Sequence, residues 1–193
     1  MENDQKTHQA IKRGSFWAPI YLILFIPIII ISFLASWYPN NLVIEIIAFA
    51  AYWGSLIAGI LFYLGVLALG KERKEEKLVK HMQAVILLSV VLVVLSVVVS
   101  LQGILSTTTQ LILSIGYLPL FVGLGIVALL LAKDFKRLES DFGTPATKAA
   151  SWHKISGWLL VTVILSPIGG LFSLIADYYM WRVLQEAAKR HHE

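Results

Sequence analysis

The sequence predicts an all-α fold, a polytopic transmembrane helix bundle. Of its 193 residues, 58% are hydrophobic and 15% charged, whereas soluble domains carry about 45–50% apolar and about 25% charged residues. The apolar residues come as long runs, and the charges are gathered into short blocks between them. Four runs are long enough to cross about 30 Å of hydrocarbon, which takes about 20 helical residues, and a fifth is ambiguous. With it the prediction is five spans within a bundle at 16–181, preceded by a cytoplasmic segment 1–15 and followed by a charged tail 182–193.

The N-terminal MENDQKTHQAIKRG is polar and mixed in charge. The run after it is too long and too aromatic for a signal peptide and lacks an A-x-A site, so it reads as a retained first span. That span, 16–38, carries Trp17 with Tyr21 at one end and Trp37 with Tyr38 at the other, as aromatic belts do at membrane interfaces. Pro27 near its middle is expected to kink it. A PNN turn leads to the second span, 43–69, whose extra length suggests tilt. The third, 84–105, is rich in Val, and the polar STTTQ follows it. The fourth, 111–132, leads into KDFKRLES. In the loop KERKEEKLVKH, Lys71–Glu75 and Glu76–Lys80 have helical spacing, so span two is expected to extend beyond the membrane as helix.

Orientation follows from the cations. Lys6, Lys12 and Arg13 precede span one, and two further groups fall at 71–80 and 133–154. The connections around 39–42 and 106–110 contain none, so the positive-inside rule places the N-terminus and both charged loops in the cytoplasm of a multi-pass cell-membrane protein.

The fifth segment, 157–181, interrupts its apolar run with Ser166-Pro167-Ile168-Gly169-Gly170. A kinked crossing fits Trp158 and Trp181, which a continuous helix would hold about 35 Å apart, and avoids a lipid-exposed turn with unsatisfied backbone groups. A re-entrant hairpin instead keeps Arg182, Lys189 and Arg190 with the other cations. The kinked crossing is the prediction, and the hairpin is the alternative.

Small residues mark helix contacts in lipid. Span two has Ala51, Ser55 and Gly59 at steps of four, with Gly54 and Ala58 beside them, and is expected to pack centrally against span three or four.

Signs of chemistry are sparse. Cysteine is absent, which excludes disulfides, thiolate metal sites and cysteine nucleophiles. Metalloprotease, nucleotide-loop and serine-hydrolase motifs are missing, and none of the five histidines lies within a span. The expectation is therefore no enzyme, no cofactor and no metal. Ionisable groups inside a membrane point to function by default. Here these are Glu45 and Asp177, which a fifth crossing would bring to the same outer face. The expected role is that of a non-enzymatic accessory or scaffolding protein. Its partners would be membrane lipids, other membrane subunits or a second copy, with no nucleic acid. The alternative is a small-solute channel or carrier built on the broken helix 166–170, with Pro27, Ser166, Pro167, Gly169, Gly170, Asp177 and Glu45 as pathway or hinge residues.

Overall fold

The computed structural model of the chain describes residues 2–38, 41–100, 107–162 and 165–190; within these, the side chains at 2–4, 29, 32, 33, 35, 36, 45, 48, 96–100, 107–116, 166 and 167 are not described. The described residues form helices and no strand: α1 (Glu2–Trp37), α2 (Leu42–Glu72), α3 (Glu76–Ser100), α4 (Thr107–Arg137), α5 (Glu139–Phe142), α6 (Thr144–Val161) and α7 (Ser166–Arg190). Four of them contain stretches long and apolar enough to cross a membrane: Gln5–Ile28, Leu42–Glu72, Glu76–Leu95 and Tyr117–Arg137.

The polar N-terminal segment belongs to α1, which runs on through Pro19 and Pro27. It packs against the end of α2, with Ile11 fully buried. Gly14 meets Gly65 so closely that a Cβ on Gly14 would lie 2.5 Å from the Gly65 Cα. Asn41 starts α2 by accepting hydrogen bonds from the Val43 and Ile44 amides at 3.1 and 3.3 Å, a side-chain cap that explains the PNN turn.

α2 stops at Glu72 and does not continue through the charged loop. The Glu75 amide reaches back to the Gly70 carbonyl at 2.8 Å, with Lys74 in the left-handed region at φ 56. This backbone closure satisfies orphan carbonyls at a helix end, and α3 begins at once with Glu76.

The segment 157–181 is not one kinked helix. Its halves belong to α6 and α7, which lie antiparallel: the Ser156 and Ser173 hydroxyls are 2.5 Å apart, and the Trp152 and Phe172 rings stack at 5.4 Å. The aromatic spacing misled because Trp158 and Trp181 sit on different arms. Trp158 is exposed, whereas the Trp181 indole N–H donates to the Ser15 carbonyl at 3.0 Å. Bonds beside the turn ease the expected backbone cost. The Thr162 hydroxyl donates to the Leu159 carbonyl at 2.7 Å, and the Gly169 amide to the Leu165 carbonyl at 2.8 Å. The break precedes Ser166-Pro167, so the proline falls in the first turn of α7, where no intrahelical N–H bond is lost.

Neighbouring helices form a closed sequence: α1 beside α2, then α3, α4, α6, α7 and back to α1. The hairpin fills the place between α4 and α1. Gly157 allows it to seat, since a Cβ there would lie 2.8 Å from the Gly125 carbonyl of α4. The small-residue face of α2 turns toward α1, not α3 or α4. Ser55, Ala58 and Gly59 are buried, and Cβ atoms on Gly59 and Gly54 would lie 3.1 Å from Tyr21 and 3.5 Å from Leu24. The reason is mutual: α1 answers with Gly14 and Ala18, whereas branched residues crowd α3.

The core gathers at one end. Ile11, Phe62, Leu69, Leu78, Met82, Phe135, Phe142, Met180 and Leu184 belong to one buried cluster. The described Lys and Arg residues lie around the same end, including those of α7. Residues 182–190 are therefore no loose tail: Val183, Leu184 and Ala187 are fully buried.

Candidate functional site

α7 turns Ala176, Asp177, Met180, Val183, Leu184 and Ala187 inward, the three- and four-residue spacing of one helix face. Asp177 is the ionisable member of that stripe, at 3% exposure. Its Oδ2 accepts hydrogen bonds from Tyr21 of α1 and Tyr63 of α2, each at 3.2 Å. The two phenol oxygens are 3.3 Å apart. Phe62 covers the group, its ring 6.0 Å from that of Tyr21 and 5.1 Å from that of Tyr63. Three helices thus meet on one carboxyl group that has hydroxyl partners but, among the described residues, no cationic partner. Such a cluster can hold a proton and can fasten the hairpin to α1 and α2, because breaking it strands buried polar groups.

A second polar cluster ties α3 to α4. His81 Nδ1 lies 2.5 Å from Oδ2 of Asp134, whose side chain is almost wholly buried. Arg137 approaches the other carboxylate oxygen at 3.6 Å and Glu75 at 3.9 Å. Beside it, His153 stacks on Phe135 at 5.7 Å, and its Nε2 has no hydrogen-bond partner among the described residues. Burial lowers the His153 pKa to about 4, so the ring is neutral near pH 7.

A third contact closes the chain's end. The guanidinium groups of Arg73 and Arg190 each lie over the Phe142 ring, at 5.2 and 5.0 Å from its centre. Arg73 also pairs with Asp141 at 3.4 Å, and Arg190 donates to the Asp141 carbonyl. On the neighbouring surface Lys136 pairs with Glu139, and that hydrogen bond lowers the Glu139 pKa.

The predicted pathway residues do not gather into one site. Asp177 is level with Tyr63, and Glu45 lies on the same helix α2 about 27 Å away at about 1.5 Å per residue. The shared outer face expected for the two carboxylates is therefore not formed: the hairpin returns Asp177 to the basic end. The side chains of Glu45, Ser166 and Pro167 lie outside the described residues. Gly169 is buried against Leu160, with a Cβ there 3.0 Å from the Leu160 amide nitrogen, whereas a Cβ on Gly170 would meet nothing within 4 Å among the described residues. The contacts of Trp181 with Ser15 and Asp177 with Tyr21 set α7 antiparallel to α1, and this register brings Pro27 near the level of the hairpin tip. Among the described residues, no three His, Asp or Glu side chains cluster as metal ligands.

Sequence reading missed Tyr21 and Tyr63 as partners of Asp177. Tyr21 resembled a belt residue, and only the packing of three helices reveals its contact. His81 with Asp134 was missed for the same reason.

No protein-family model matches the chain, and neither a curated protein nor a solved structure matches it.

Proposed function

We propose that the chain is a multi-pass cell-membrane protein with four spans, a re-entrant hairpin, and both ends and both charged loops in the cytoplasm. In this reading it serves as a non-enzymatic accessory or scaffolding subunit. One observation carries it: apolar side chains face outward along the helices away from the basic end, while the packed core lies at that end. Ile23, Ile26, Ile30, Ile46, Ile47 and Phe49 are all exposed, as are Trp158, Ile168 and Leu171 on the hairpin. In water this surface would be an aggregation liability, but in lipid it is the expected exterior. The cations at one end support the cytoplasmic orientation. The filled base supports a packed bundle over an open conduit, since a solute passing there would have to displace Phe62, Leu69, Met82 and Phe135.

Two measurements test this reading. Reporter fusions after residue 193 and within 71–80 should report the cytoplasm, and a fusion within 106–110 the opposite side. A C-terminus on the far side would refute the re-entrant hairpin. Isolation in mild detergent should recover a recurrent membrane partner or a second copy; solitary recovery in every preparation would refute the scaffolding role.

A carrier is the second reading, favoured by one observation: a hairpin ending within the bundle, with the buried carboxyl Asp177 below its tip. It predicts solute flux in proteoliposomes that Asp177→Asn abolishes.

A further inference from the structure

We infer that the basic end of the hairpin carries a binding groove for the phosphodiester headgroup of a lipid, an assignment that rests on the membrane reading above. The groove is an open concavity of about 520 Å³ between the first turns of α6 and the later turns of α7, lined by Thr144, Lys148, Tyr178, Tyr179, Arg182 and Glu186 among others. Its cations differ from their neighbours. Arg73, Lys136 and Arg137 each face a carboxylate. Among the described residues Lys148 and Arg182 form no ion pair, and Lys148 sits over the Tyr179 ring at 5.3 Å. Two exposed cations without acidic partners thus face one concavity with two tyrosines. A guanidinium offers paired donors to phosphate oxygens, and an ammonium adds a point charge.

The groove's level and surroundings identify the occupant as amphiphilic. Trp181, next to Arg182, bonds to the carbonyl of Ser15, where the polar start of α1 gives way to its apolar run. The groove therefore sits at the boundary where headgroups lie. From it, Tyr178, Ile175, Leu171 and Ile168 follow one another on α7 at three- and four-residue steps, all exposed. They form an apolar track of about 15 Å toward the hairpin tip, and an acyl chain can lie along it while its phosphate meets Lys148 and Arg182. Glu186 sets the preference within the class. It repels a second negative charge and accepts a hydrogen bond from a hydroxyl or ammonium group. The site therefore favours a phosphodiester whose headgroup ends in such a donor over a dianionic monoester.

The test uses the full chain, stripped of lipid in detergent, with bound lipid counted by native mass spectrometry. Short-chain phosphatidylglycerol is the probe, and phosphatidylmethanol, with the same single negative charge but no donor, is the comparator. The expected result is one phosphatidylglycerol per chain, bound more tightly than phosphatidylmethanol. The double variant Lys148→Gln/Arg182→Gln should weaken phosphatidylglycerol binding by about tenfold or more, as expected for losing two charge-assisted contacts. Lys77→Gln/Lys80→Gln removes the same charge from the same end and should leave binding unchanged. Thermal melting of each variant separates lost binding from lost folding. Soluble glycerophosphoglycerol distinguishes the sources. Failure to compete at millimolar concentration assigns the groove to lipid, whereas competition assigns it to a free phosphodiester and overturns the lipid assignment. Equal loss in both double variants, or none in Lys148→Gln/Arg182→Gln, overturns the site itself. Binding in detergent does not depend on topology, so reporter fusions on the far side with the groove intact would overturn the membrane reading alone.

Discussion

At the scale of single residues, the bundle depends on a few polar groups whose partners come from distant parts of the chain. Asp177 draws its two hydroxyl donors from helices more than a hundred residues upstream. Replacing both tyrosines, Tyr21→Phe with Tyr63→Phe, leaves a buried carboxyl unpartnered and should lower stability by about 1–3 kcal/mol. Asp177→Asn, which keeps an acceptor oxygen, should cost less. Melting temperatures in detergent check both, and a double variant as stable as the parent would deny the cluster its fastening role. His153 gives a pH dependence of definite sign. Its pKa falls from 6.5 to about 4 on burial, so the unfolded chain takes up the proton first. Its contribution is complete above about pH 6.5 and is lost as the pH falls to about 4, up to about 3 kcal/mol. As acid is added, the melting temperature of the parent should fall more than that of His153→Leu, which lacks the titrating ring. Asp177 could be singled out from sequence because an aspartate in an apolar run is conspicuous. Its tyrosines could not, since tyrosine is ordinary at a membrane boundary and its hydroxyl contact depends on how three helices align.

Among the elements, the spans were easier to read than the turns that organise them. Long apolar runs announce α1 to α4, and Asn41 marks its cap. The hairpin was harder because one run of about 25 apolar residues suits a crossing or two shorter arms equally well. Its decisive signal is steric: Gly157 and Gly125 let α6 and α4 touch backbone to backbone, a match visible only once both helices are placed. The cysteine-free chain offers a direct test. Ser156→Cys with Ser173→Cys should oxidise readily to a disulfide, because the parent hydroxyls lie 2.5 Å apart. A continuous helix would separate them by about 25 Å, so failure of the pair to cross-link would return the segment to a single crossing. The corner before α6 is equally specific. Gly143 has φ 58 and ψ −133, a region open essentially to glycine alone, so Gly143→Ala should cost about 1–3 kcal/mol, measurable as a lowered melting temperature even though nothing crowds the site.

Across the whole molecule, the proposed membrane setting divides the work between two solvents. At the basic end, exclusion of water drives apolar side chains together, and the last turns of α2 join that core. Part of the length of span two, read from sequence as tilt, therefore belongs to that core. Farther along, lipid provides no comparable drive, and the helices keep their large side chains outward. Truncation after Trp181 removes Val183, Leu184 and Ala187 from the core; a buried Val or Leu contributes about 1.5–3 kcal/mol. The shortened chain should not yield a monodisperse species on size-exclusion chromatography, whereas the full chain should. The place of α7 also sets a timetable for biogenesis. Synthesis delivers α1 and α2 first, and α7, which bonds Ser15 and receives the Tyr21 and Tyr63 hydroxyls, follows only after α3 to α6. Until α7 is made, the flank of α1 and α2 lacks the carboxyl group to which its two phenols donate. Lipid or an insertion factor must shield that flank, and the arrival of α7 is the step that lets the bundle close.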